Sequence, residues 1–309
     1  MTNETTVLRV GTRGSTLAHL QTQEALGNLR QSLGSVDIEV ITIRTKPDVN
    51  SEDPLNSFNR GMFVSELEDA LLRNDADIAV HSMKDVVINL PENLVIPVIM
   101  KREDSRDVFI SSKYNQIGTI PENTVIGTSS LRRQSQILRL CPNVVMKDLR
   151  GNVDTRLGKL DKGEFDAIVL AAAGVKRLGL SERITEYIPH PLLLPAVGQG
   201  AIGIECRTND SVIQELIFPL NDVETSICIS AERAFSRRLQ GGCQLPIAAH
   251  ASIEGKEIKL KGLVARLDGS EIIQSEQKGD VGNIEHVGKL LAESLLKQGA
   301  DVILEELIK

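Results

Sequence analysis

Residues 124–140 read TVIGTSSLRRQSQILRL. This stretch predicts a strand over Thr124–Gly127 and a helix over Ser129–Leu140. Free amides at the helix start, the hydroxyls of Thr128, Ser129 and Ser130, and the side chains of Arg132 and Arg133 together make an anion site. A capped helix with solvated arginines has the same letters. Working outward, Val144–Leu149 reads as a strand, and Val153, Leu157 and Leu160 mark a second helix. Asp166–Ala172 reads as a buried strand, and upstream Asp107–Ser111 reads as another. Strands alternating with helices predict a mainly parallel sheet covered by helices. In such sheets ligands sit beyond the carboxyl ends of the strands.

The first hundred residues follow the same plan. Val7–Gly11 reads as a strand, and Ser15 and Thr16 cap a helix carrying Leu17, Leu20, Leu26, Leu29 and Leu33 at near-helical spacing. Val36–Ile43 alternates as a strand, and Phe63, Val64, Leu67 and Leu71 form a helical stripe. Asp77–Val80 is a short strand running into His81-Ser82-Met83-Lys84-Asp85. The last third changes style. A helix over Glu224–Gln240 stops at Gly241-Gly242, and strands follow over 247–253, 257–266 and 270–277. A helix over Ile284–Gln298 completes a small α+β domain.

Composition bounds the function. The chain has 309 residues, 35 basic against 42 acidic, and a net charge of −7. Phosphate neutralisation needs a basic surface, so a nucleic-acid partner is excluded. Aromatics are only 3% with no Trp, which leaves few platforms for stacking bases. Of the 35 basic residues 20 are Arg, many in tight groups. A planar guanidinium grips carboxylate bidentately, which points to a small anion or to surface ion pairing. The polar start Met1–Thr6 and the short apolar runs predict a cytoplasmic chain with no membrane partner. Cys141, Cys206, Cys228 and Cys243 fit no zinc template, the five His have no ligand spacing, and no metal site is expected.

Further candidates lie at the other turns. Asp148–Arg156 repeats the strand–Gly–helix plan, with Asn152 as cap and with Arg150 and Arg156 flanking it. Arg13 sits in Gly11-Thr12-Arg13-Gly14-Ser15, and Lys176-Arg177 follows a strand end at Ala171–Gly174. Asp85, beside Lys84, is either a strand-end ion pair or a carboxylate able to stabilise a cation and pass a proton. Cys243, in Gly241-Gly242-Cys243-Gln244, is either a buried thiol or an exposed nucleophile.

Eight segments taken together resemble the porphobilinogen deaminase family. They are residues 9–21, 81–86, 102–110, 127–136, 148–160, 170–179, 195–207 and 231–250. The resemblance implies an α/β fold. Two similar helix-covered mixed-sheet domains, two-lobed and periplasmic-binding-protein-like, would carry a small α+β C-terminal domain. The implied domains are 1–100 with 200–218, then 101–199, then 219–309. It implies stepwise condensation of porphobilinogen with loss of ammonia on a dipyrromethane cofactor, then hydrolytic release of hydroxymethylbilane. By motif position Cys243 is the covalent attachment and Asp85 the catalytic carboxylate. Ser82, Lys84, Thr128, Ser129, Ser130, Arg132, Arg133, Arg150 and Gln199 match cofactor-binding positions. Arg13, Arg156 and Arg177 match substrate-binding positions. The partners implied are porphobilinogen and the growing polypyrrole, with the chain a monomer. A non-catalytic two-lobed anion-binding protein is the alternative; it needs neither Asp85 nor Cys243. Pro47 stands where the family often has Gly, Arg60 where Lys is common, and a mobile lid is expected over 46–60.

Overall fold

The computed structural model describes residues 7–34, 36–43, 64–242 and 244–308. Cys243, Pro47, Arg60 and the expected lid over 46–60 lie outside the described residues. The chain forms two compact units, residues 1–102 with 201–226 and residues 103–200 with 227–309.

In the first unit β1 (Leu8–Arg13), β2 (Ile38–Ile43), β3 (Ile78–Ser82) and β4 (Leu94–Ile99) are joined by β10 (Ile202–Arg207). The strand order is β2-β1-β3-β10-β4. β1 pairs parallel with β2 and β3, and β10 runs antiparallel to β3 and β4. The sheet is therefore mixed rather than mainly parallel, because the strand that returns from residue 202 enters it reversed. Central β3 and β10 are buried along nearly their whole length, whereas edge strand β2 is half open.

Helix α1 (Thr16–Leu33) starts as expected, with the Ser15 hydroxyl accepting from Ala18 N at 3.2 Å. Its buried stripe differs from the leucine reading. Ala18, Gln21, Thr22, Ala25, Leu26 and Leu29 face the sheet, while Leu33 is exposed. Thr22 bonds Thr12 of β1 at 2.8 Å, so even-numbered residues of β1 face α1. Odd-numbered residues face α2 (Ser65–Leu72), since a Cβ on Gly11 would meet Leu67.

The second unit holds two sheets. β5 (Asp107–Ile110), β6 (Val125–Gly127), β7 (Val145–Lys147), β8 (Ala167–Ala171) and β9 (Glu186–Ile188) lie in the order β7-β6-β8-β5-β9. β6 pairs parallel with β7 and β8, and β5 is antiparallel to β8 and β9. This is the plan of the first sheet, with β5 in the place that β10 takes there. α3 (Leu131–Leu140) and α4 (Val153–Asp161) connect its parallel strands. Residues 172–177 form a helix, α5 (Ala172–Arg177), rather than extending the strand, so Lys176 and Arg177 lie in its last turn.

After α6 (Ser211–Ile217) comes α7 (Val223–Arg238), then the antiparallel sheet β11 (Ile247–Glu254), β12 (Glu257–Ala265) and β13 (Ile272–Asp280). Phe235, Leu260, Val264, Leu291 and Leu295 form its core. The expected helix over 284–298 ends early. α8 (Ile284–Leu295) is followed by a π-turn with Gly299 at φ +100°, and then by α9 (Asp301–Ile308).

Candidate active site

Of the expected site residues, Arg13, Ser82, Lys84 and Asp85 lie at strand ends of the first unit, and Thr128, Ser129, Ser130, Arg132, Arg133, Arg150, Arg156, Arg177 and Gln199 lie in the second; Cys243 is outside the described residues. In the first unit Arg13 ends β1 and Ser82 ends β3, its parallel neighbour. Ser82 Oγ is hydrogen-bonded to the Gln21 side-chain amide at 2.8 Å, which ties the strand end to α1. A single 3-10 turn, Met83–Asp85, follows. Met83 is buried and its N–H donates to Ala201 O at 3.0 Å. Gly203 makes room for it: a Cβ there would lie 2.2 Å from Met83 Sδ. Asp85 is half-buried, and among the described residues its carboxylate has no hydrogen-bond or ion-pair partner.

Beneath this turn lies a polar group that sequence reading missed. His81 Nε2 is 2.9 Å from Glu205 Oε2, and Glu68 of α2 is beside them. All three are buried, and one oxygen of each glutamate has no partner. Burial, then the Glu205 charge, pushes the Glu68 carboxyl up to about 7.

In the second unit the edge is built from three turns. Thr128 Oγ1 accepts from Ser130 N at 3.2 Å. Ser129 Oγ accepts from Leu149 N at 3.0 Å and donates to Leu149 O at 3.2 Å, which locks the turn after β6 to the turn after β7. Ser130 and Asn152 occupy the N-cap positions of α3 and α4, yet neither side chain makes a capping bond. Asn152 therefore does not make the cap read from the sequence, and the amides at the start of α3 have no Ser130 side-chain cap. Arg150 is half-buried, with Asp148 3.8 Å away. Arg156 Nε donates to Gly151 O at 2.7 Å, and Arg177 Nη1 to Gly200 O at 3.2 Å. Gly200 has φ +92°, and a Cβ would lie 2.5 Å from Glu103 O, so only glycine fits.

Arg132 and Arg133 are not solvated. They are 4% and 6% exposed, and both pair with Asp107 at 2.7 Å. Gln199, also buried, donates to Asp107 Oδ1 at 3.0 Å and to Ser105 O at 2.8 Å. Burial pushes the Asp107 carboxyl up, but the two guanidiniums outweigh it and hold it well below the usual carboxylate range. Arg132 Nε is buried with no acceptor.

The small domain presents the glycine turn. Gly241 N donates to Ser236 O at 2.8 Å and Leu245 N to Gly242 O at 3.1 Å, which anchors the backbone on both sides of position 243. Of the other thiols, Cys206 is buried and pushed up to about 11 by that burial, as expected of an unreactive core cysteine.

Comparison with known proteins decides the family. A model described as "Porphobilinogen deaminase, dipyromethane cofactor binding domain" matches residues 8–215. A second, "Porphobilinogen deaminase, C-terminal domain", matches residues 226–297. The chain belongs to the porphobilinogen deaminase family. It is an enzyme that condenses porphobilinogen with loss of ammonia on a dipyrromethane cofactor and releases hydroxymethylbilane for tetrapyrrole biosynthesis. Among solved structures it is similar to the VFT2 domain of BvgS from Bordetella pertussis (13% identity, 74% of this chain and 92% of that one, TM-score 0.42). It is also similar to an ABC-transporter periplasmic substrate-binding protein from Coxiella burnetii (13%, 69% and 91%, TM-score 0.44). Among the described residues no helix is long and apolar enough to cross a membrane.

The deaminase's cofactor is a polycarboxylate, and the donor set fits one. Buried guanidiniums outnumber the carboxylate they share, Arg132 Nε lacks an acceptor, and two helix starts lack side-chain caps.

Proposed function

We propose that Asp85 is the catalytic carboxylate of this deaminase and that Cys243 carries the dipyrromethane through a thioether. When bound, that group would supply the free pyrrole carbon to which the first ring is joined, each later ring being added to the one before it. The observation that carries the reading is Asp85 itself, on the carboxyl edge of β3, half-buried and without a competing partner among the described residues. Its oxygens accept pyrrole N–H groups and stabilise the cation left when porphobilinogen loses ammonia. They also take the proton released as the new C–C bond forms. Arg13, Arg156 and Arg177 bind the acetate and propionate groups of the substrate. Ser82, Lys84, Thr128, Ser129, Ser130, Arg132, Arg133, Arg150 and Gln199 hold the cofactor. We further propose that the chain is a cytoplasmic monomer of three domains, residues 1–100 with 200–218, 101–199 and 219–309. Three separate sheets support that division.

Intact-mass spectrometry tests the attachment. The expected result is a protein heavier than its sequence by one dipyrromethane, with the excess on the Cys243 peptide and absent from Cys243→Ser. An active wild type of unmodified mass would overturn it.

A further inference from the structure

The network around Asp107 has a role that the three motif residues it contacts do not explain. Asp107 heads β5 and is fully buried. Oδ2 accepts from Arg132 Nη1 at 2.7 Å. Oδ1 accepts from Arg133 Nε and Nη2, at 3.0 and 2.7 Å, and from Gln199 Nε2 at 3.0 Å. The two arginines are held differently. Arg133 directs its Nε/Nη2 edge at Asp107 and its Nη1 at Val169 O, 3.0 Å away. Arg132 is held end-on, with Nη1 shared between Asp107 and Leu194 O. Its Nη2 has a long 3.4 Å contact to Gln199, and its Nε has no acceptor. Two guanidiniums thus share one carboxylate, leaving a net positive charge and one orphaned donor in a buried place. Such a donor is costly unless an anion completes it.

We propose that Asp107 is a positioning residue for cofactor capture: by gripping Nη1 it leaves the side-on Nε edge of Arg132 for a carboxylate. The proposal rests on the reading that this chain carries a dipyrromethane. Arg133 and Gln199 brace the same carboxylate. The arrangement puts the directional hydrogen-bonding edge of Arg132, rather than charge alone, at the ligand.

A charge-balanced pair of variants separates position from charge. Asp107→Asn leaves Arg133 unpaired and buried. Asp107→Asn combined with Arg133→Gln restores the wild-type net charge but also removes Arg133, so Arg133→Gln alone is its reference. There the grip on Arg132 is intact and the net charge is one lower, and charge alone would make the double variant load faster. Each is prepared cofactor-free and given porphobilinogen, with folding followed by circular dichroism and mass gain followed with time. The expected result is a folded double variant that gains the dipyrromethane mass at least tenfold more slowly than Arg133→Gln alone. Loading as fast as Arg133→Gln alone, or faster, overturns the role of Asp107 while leaving the cofactor reading intact. A wild type that never carries the mass overturns both. Arginine Nε resonances give a second readout that needs no network variant. Between Cys243→Ser and loaded wild type, the Arg132 Nε–H signal is expected to move and the Arg133 Nε–H signal, already bonded to Asp107, to move much less. Unchanged Arg132, or equal shifts in both, counts against the proposal.

Discussion

At the residue scale, two carboxylates of the first unit, Asp85 in the turn after β3 and Glu68 in α2, behave oppositely. Asp85 is half-buried and bonded to none of the described residues, so removing it costs the fold little. Asp85→Ala is expected to keep its melting temperature within error in calorimetry and to lose roughly 10²- to 10⁴-fold in turnover. Substantial residual turnover would take Asp85 out of the chemistry. Glu68 is buried, and its carboxyl titrates near 7 rather than near 4.5. A raised acid pKa means the native state keeps a proton that the unfolded chain gives up. The contribution is therefore full below about pH 4.5 and lost as pH rises through about 7, a swing of roughly 3 kcal/mol. Glu68→Gln mimics the protonated form. Its melting temperature is expected to exceed that of wild type at pH 8 and to converge with it toward pH 5. A constant gap across that range would remove Glu68 as the source.

At the element scale, the turn that carries Asp85 depends on its neighbour strand. Gly203→Ala would push a methyl into Met83 Sδ, an overpacking of about 1–3 kcal/mol, softened by the flexibility of Met. A lowered melting temperature with reduced turnover is expected, and trimming Met83 to Ala in the same chain should recover stability but not full activity. Much of this scale was legible in the letters. β1, β3, β6 and β8, and the helices after β1 and β6, announce themselves through apolar strand runs ending in Gly or polar turns, and so do Arg13, Ser82 and residues 128–133; α5 after β8 does not. β4, β9 and β10 do not. β9 is only three residues long, and Ile202–Arg207 lies in a glycine-bearing segment whose burial on both faces erases alternation. Asp107 escaped for a related reason. An aspartate heading an apolar strand looks like a solvated strand end, and only the tertiary approach of Arg132 and Arg133 reveals it as buried. The Glu68–His81–Glu205 group is likewise drawn from three separate elements, at separations no local pattern records.

At the scale of the whole molecule, a chain with net charge −7 handles a substrate that is itself an anion. Attraction therefore has to be local, from the arginines on the sheet edges, and it acts against the overall field. Between salt near ~0.01 M and ~0.15 M the screening length falls from about 30 to about 8 Å, which weakens both terms. If the local arginine contacts dominate, KM for porphobilinogen should rise with salt while kcat stays nearly constant; a falling KM would assign control to the global charge. The antiparallel strand in the first sheet has a different kind of consequence. β10 is made about a hundred residues after β4, yet it lies between β3 and β4. During synthesis the first four strands therefore wait, with two unsatisfied backbone edges, until residue 207 leaves the ribosome. A nascent chain stopped at residue 200 should be recognised by chaperones or aggregate, whereas one extended a few turns past 207 has the strand that closes the sheet.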